Sequence, residues 1–448
     1  MLFIKKYIRT KYAIIMKTYI IKSVLVLLIF FLVLSCKSNT ENQITKKEDY
    51  QSYLLMKENK KLDGIKKDVD FWQKKYNAAP NQYTYLISLS GLYSQLFEIT
   101  GNIQNLYHAE KLLLDCNNRV KEEKAGIHRA IAKNYISQHR FKEALVHLTK
   151  AFVLGENKMA TNKMLFDVQM ELGNYVEAKD KLTSFLDFND FDYLIRLAKW
   201  NDHIGDLNKS IQLMEAAKKI AENSKNDNLK LWVYSNIADY YGHAGRIDDS
   251  YNFYLKTLEI DSNNMYALKG IAWIVFSHER NPQEALEIVN YISTQHSVPD
   301  IYLFKADIYD FSGNLSEKRN AINEYSTSLE KNNYGDMYNK YNALLYSETA
   351  GEVNKAIEIA KKEIENRPTP ESYDLLAWAY YNNGDFDKAL DIIEKHTIGK
   401  SHEPLIVFHN ETILKANHKL TQENSNKADL LASIYELGPN LETSIKRL

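Results

Sequence analysis

Two cysteines, Cys36 and Cys116, are the only thiols in a chain of 448 residues, which excludes a disulfide framework. Cys116 stands seven residues after Ala109 in a helical pattern, a place where a modest buried side chain serves packing and where a reactive thiolate has nothing to stabilise it. The histidines form no HExxH, and His402, His409 and His418 lack the helical spacing of a ligand pair. Asp187, Asp190 and Asp192 cluster within 186–192, but a calcium loop also needs its glycine turn and terminal glutamate. Without them these aspartates read as helix caps. No GxGxxG, P-loop, GxSxG or Ser/His/Asp arrangement occurs, so the chain is expected to be no enzyme and to carry no metal or cofactor.

The elements behind these residues are helices. Gly (16) and Pro (7) are scarce, apolar residues recur at helical spacing, and no alternating strand pattern is present. Lys and Arg total 57 against 58 Asp and Glu, so neither nucleic-acid binding nor acidic disorder is expected from bulk charge. At the N-terminus, Lys17 and Lys22 precede an apolar run, Ser23 to Leu34, followed by Ser35-Cys36. A run of about 12–14 apolar residues falls short of the roughly 20 that span a bilayer. The arrangement resembles a bacterial lipoprotein signal peptide. The resemblance implies a signal over 1–35, with Met16 a better start than Met1, and lipidation of Cys36. A polar tether over 36–45 and a lipid-anchored place in the cell envelope, at the outer membrane with the face left open, follow from it.

A period runs through the rest. Small residues stand at Ala144, Ala178, Ser210, Ser250, Ala285, Ala356, Ala389 and Ala428, with Lys318 in the matching slot of one unit, at gaps of 32 to 40 residues. A glycine lies five residues earlier in six units: Gly173, Gly205, Gly245, Gly313, Gly351 and Gly384. This predicts helix, tight turn, helix, the first helix ending on a left-handed residue. Ala132, Ala238, Ala306 and Ala377, each with a tyrosine three positions on, let paired helices approach. The unit 264–295 departs from the pattern, with His278-Glu-Arg-Asn-Pro282 at its turn. A charged segment ahead of the array, 46–77, reads as a capping helix broken at Gly64.

The pattern resembles the tetratricopeptide repeat (TPR) family, most closely at Leu376, Ala377, Tyr380, Gly384 and Ala389. It implies an all-α fold, an α-α superhelix (TPR solenoid) of about ten helix-turn-helix repeats over 78–448. In that family the first helices line a concave surface that binds proteins. The matching positions here are Trp232, Asp239, Tyr266, Trp273, Phe276, Asp307, Asp310, Phe311, Asp374, Trp378 and Tyr381 in later units, and Arg129, Lys133, Lys163 and Lys199, mixed with Asp192 and Asp202, in earlier ones. An aromatic and acidic groove would select a basic peptide or helix. The competing reading packs the aromatics between helices and leaves the aspartates as a wet surface. The expected function is a membrane-anchored scaffold holding a segment of an envelope protein. The alternative is a glycan- or nutrient-capture lipoprotein resembling the SusD family, whose large insertions are missing from these short links.

Overall fold

The structure, a computed structural model, describes residues 43–56 and 58–448. The expected signal peptide, the Met16 start, Cys36 and most of the tether lie outside the described residues. Among the described residues there is no strand, and no helix is long and apolar enough to cross a membrane. Residues 44–448 pack as one unit. Helix Lys60–Ala78 leads into nine helix pairs, and each first helix lies antiparallel to its second across a tight turn: Thr84–Thr100 with Ile103–Arg119, Ala125–Ser137 with Phe141–Leu154, Lys158–Glu171 with Tyr175–Thr183, Phe191–His203 with Leu207–Asn223, Asp227–His243 with Ile247–Ile260, Met265–Trp273 with Pro282–Gln295, Asp300–Phe311 with Leu315–Lys331, Asn339–Glu348 with Val353–Asn366, and Pro370–Asn382 with Phe386–His396. These are repeats one to nine.

The left-handed turn is uniform even where the residue is not. All eight positions lying five before the small residue from Ala144 to Ala389 take positive φ, including His139 (58°) and Arg280 (58°), where no glycine stands. In six of the eight the next residue's amide then donates to the carbonyl five back, as Asn174 does to Gln169 (2.9 Å), Arg140 to Tyr135 (2.8 Å) and Asp385 to Tyr380 (2.9 Å); after Arg280 and Gly351 the bond runs instead from Asn281 to Val275 (3.0 Å) and from Glu352 to Thr349 (3.0 Å). The small residues follow from packing: Ala144, Ala178, Ser210, Ser250, Ala285, Ala356 and Ala389 are fully buried where the second helix of each pair meets its neighbours. Cys116 is buried in the same way, and burial pushes its thiol up, away from the reactive thiolate.

The array coils back on itself. Gly101 touches Val298, Gly173 faces the Pro368 carbonyl, and Gly205 lies against the His402 ring, each pair about one turn of the superhelix apart. A Cβ on Gly101 or Gly205 would come within 2.7 Å of that neighbour, so glycine here serves both the left-handed turn and the close approach. Ion pairs reinforce the seam: the Arg367 guanidinium meets Glu171 (3.0 Å) across it while also holding Glu363 (2.8 Å).

Both ends of the chain differ from expectation. Gly64 lies inside the continuous helix Lys60–Ala78, and the break falls upstream, over 51–56 and 58–59. Residues 44–56 leave that helix and run over repeats five and six as a strap. The Glu279 carboxylate accepts from the amides of Ile44 (2.8 Å) and Thr45 (2.6 Å), Tyr251 accepts from the Lys46 amide (3.1 Å), and Tyr50, wholly buried, bonds Glu284. At the other end, helix Pro404–Ala416 opens a tenth unit that is never completed. Ala428, expected at the small-residue slot of its second helix, is exposed. The chain instead breaks into Lys427–Ala432, Ile434–Leu437, a 3-10 turn Pro439–Leu441 and Glu442–Lys446, which turn into the concave side.

Candidate functional site

The first helices of repeats five to ten converge on these last residues. The Trp273 indole nitrogen (2.9 Å) and the Ser277 hydroxyl (2.6 Å) both donate to the Tyr435 carbonyl. The Tyr435 ring lies on Gly242, where a Cβ would come within 2.7 Å of it. The Asn440 amide donates to the Asp307 carbonyl (2.9 Å), and Arg280 pairs with Glu442 (3.2 Å). Leu430 and Ile445, both buried, close over Trp378 and Phe408. The concave face therefore already holds a peptide by main-chain hydrogen bonds, one ring and an apolar patch, and that peptide is the chain's own C-terminus.

The departure in repeat six builds this contact. Its first helix continues into one widened turn, Ile274–His278, with the Glu279 amide donating to the Ile274 carbonyl (3.1 Å) and the Asn281 amide to Val275 (3.0 Å). The widening accommodates the extra residues before Pro282. It turns Ser277 and Arg280 toward the C-terminal segment and Glu279 toward the N-terminal strap.

The residues expected to line the groove fall into three groups. Phe276, Asp374 and Trp378 are buried and contribute to the core: Phe276 sits edge-on to Phe304 (5.9 Å), the Asp374 carboxylate accepts from His409 Nδ1 (2.9 Å), and Trp378 stacks on His409 (3.9 Å) and Tyr381 (5.0 Å). Phe276 and Trp378 pack between helices, as the competing reading has it, whereas Asp374 is neither a groove residue nor wet surface, being buried against His409 of helix Pro404–Ala416. Trp273, Asp307 and Phe311 border the segment, Trp273 and Asp307 in contact with it and Phe311 exposed at its edge against Phe276 (5.7 Å). Trp232 and Tyr266 are exposed further along. Trp232 packs edge-on to Phe191 (5.8 Å), and Tyr266 joins Tyr254 in donating to the Asp239 carboxylate.

The charges are largely answered from within. Lys163 pairs with Asp190 (2.9 Å) and Asp192 (3.0 Å), Lys199 with Glu171 (2.8 Å), and Arg129 donates to the Glu156 carbonyl (2.7 Å), so these three earlier cations are engaged rather than free to set a gradient. Asp190 also caps its helix through the Tyr193 amide (2.9 Å), and among the described residues no group of three potential ligands gathers as a metal would require. Asp310 pairs with Lys318 (2.9 Å). Asp307 is the exception: the residue is exposed and its carboxylate takes no hydrogen bond, yet protein crowds it on its inner side. The surrounding protein, with Asp310 and Glu348 near, pushes it up to about 7 against the opposing pull of Lys318. Burial likewise raises Asp202 and Glu436, and Glu403 adds to both.

Sequence reasoning missed Gly242, Ser277 and the occupant itself. One signal pointed to them: glycines inside helices at 242 and 270, where no turn needs one.

Comparison places these helix pairs among known proteins. The tetratricopeptide repeat profile matches residues 370–395, which is repeat nine. Similar solved structures include a tetratricopeptide repeat protein from Parabacteroides merdae (15% identity, 65% of this chain and 98% of that one, TM-score 0.34). Yeast Tom70 (12%, 81% and 94%, 0.33) and the human IFIT1 dimer with PPP-AAAA (13%, 79% and 95%, 0.42) are also similar. No curated protein matches the chain. The profile match identifies a tetratricopeptide repeat at residues 370–395, and the same turn and small-residue geometry recurs in the neighbouring helix pairs of an array that is all-α over the described residues.

Proposed function

We propose that this chain is a protein-binding scaffold, tethered to a membrane through lipidated Cys36, whose concave face at repeats five to ten holds a segment of a partner protein. One observation carries the binding part: that face engages a peptide, the C-terminal segment, through the Trp273 and Ser277 donors on one backbone carbonyl. The partner's chemistry is basic, because Asp307 offers an unpaired carboxylate beside exposed Phe311, and a Lys or Arg brought there gains an opposite charge in a crowded site. The sequence Val33-Leu34-Ser35-Cys36 after its apolar run supports the tether.

The binding test exposes residues 44–448 to an array of Lys- and Arg-containing peptides and to an oligosaccharide panel. Peptide binding that weakens about tenfold in Asp307→Asn, the loss of one charge-assisted contact, is the expected result. Sugar binding without peptide binding would reject the scaffold. For the tether, Cys36→Ser should move the full chain from membrane to soluble fractions, and unchanged membrane association would remove that part.

A further inference from the structure

The C-terminal segment has the features of an occupant rather than of a repeat. Its three helices, Lys427–Ala432, Ile434–Leu437 and Glu442–Lys446, are each too short to persist without a surface to lie on. The link ahead of it is mostly exposed from His418 to Asn424. It is held by polar contacts to Trp273, Ser277, Arg280 and the Asp307 carbonyl, by the apolar patch of Leu430 and Ile445 on Trp378 and Phe408, and by one inserted ring that rests on a glycine. It also carries a mismatch. Glu436 adds a carboxyl to a place that already holds Asp202 and Glu403, where His243 (3.8 Å) and the Glu371-bound Lys340 are the opposing charges.

We infer that residues 427–448 are a built-in occupant of the concave site, displaced by a partner segment that lays an aromatic ring on Gly242 and puts a Lys or Arg where Glu436 stands. This rests on the peptide-binding reading above and adds what the partner must remove and what it must resemble. Docked through a short link, the segment competes as an intramolecular ligand, and a partner binds in proportion to the fraction of molecules in which it has left.

Gly242 supplies a selective test. It sits in helix Asp227–His243 without positive φ, and the nearest atoms to an added Cβ all belong to Tyr435, so Gly242→Ala suits the helix and clashes with the segment. Hydrogen exchange on the 44–448 body carrying this change should accelerate about tenfold or more over 427–448 while repeats one to nine keep their protection. Unchanged exchange of the segment, or equal acceleration across the array, overturns the inference, the latter because the segment would then be part of the core. No partner enters this measurement, so failure of the peptide arrays leaves it untouched.

Partner chemistry is tested in trans. Synthetic peptides of residues 427–448, wild-type and Glu436→Lys, are titrated against the body carrying Tyr435→Ala, which weakens its own segment and leaves Gly242 free. The Glu436→Lys peptide should bind about three- to tenfold tighter than the wild-type peptide. Equal or weaker binding overturns the assignment of a cation to that position.

Discussion

Asp307 joins solvent access to a raised carboxyl, and the two together set how binding should vary with pH. Below about 7 the group is mostly protonated and offers a cation little; above it the charge is present. Affinity for a basic peptide should therefore rise up to about tenfold between pH 6 and 8 in titration calorimetry, and Asp307→Asn should flatten the profile. The sign for folding is opposite. A carboxyl raised in the folded state contributes stability present below its unfolded value, and that contribution is lost as pH climbs through 7. Gly270 gives a packing prediction: a Cβ there would meet the Tyr254 ring at 2.2 Å, between helices that cannot part, so Gly270→Ala should cost about 1–3 kcal/mol in urea unfolding. Of these residues the sequence exposed Asp307, through the repeat register. It also marked Phe276 and Trp378, but register alone does not say whether a concave side chain meets solvent or another segment of the chain.

Repeat six shows what an irregular element can do. Its break with the pattern was plain in His278-Glu-Arg-Asn-Pro282, and so was the absence of a glycine. That Arg280 would still take the left-handed conformation, and that the widened turn would face two chain ends at once, depends on segments more than 150 residues away. Removing the Glu279 carboxylate takes away a charged acceptor shared by Ile44 and Thr45, worth about 1.5–3 kcal/mol. Glu279→Ala should speed amide exchange over 44–50 and leave the seven other left-handed turns protected. The strap hid from sequence reading for a simple reason: Leu54, Leu55 and Leu62 continue a helical spacing across a stretch that the structure breaks, and periodicity does not register a break made by contacts from elsewhere.

Over the array, the helix pairs, their turns and their small residues were legible because each is decided within one unit of sequence. The return of the chain on itself was not, since Arg367 with Glu171 and Gly205 with His402 join residues that no periodic rule relates. Arg367 is mostly buried, with Glu363 and Glu171 as partners and Phe141 beneath it (5.5 Å). Arg367→Ala should lower stability by about 3 kcal/mol, read as a shift in the denaturation midpoint. A linear stack of repeats can fray from either end, because each unit leans only on its neighbours. Here the first repeat leans on the seventh, the third on the ninth, and both the strap that begins at Ile44 and the C-terminal segment are fastened at the sixth. Melting any one repeat takes support from another a full coil away, so the nine repeats should come apart in a single concerted step, and their refolding should wait on the slow meeting of distant partners.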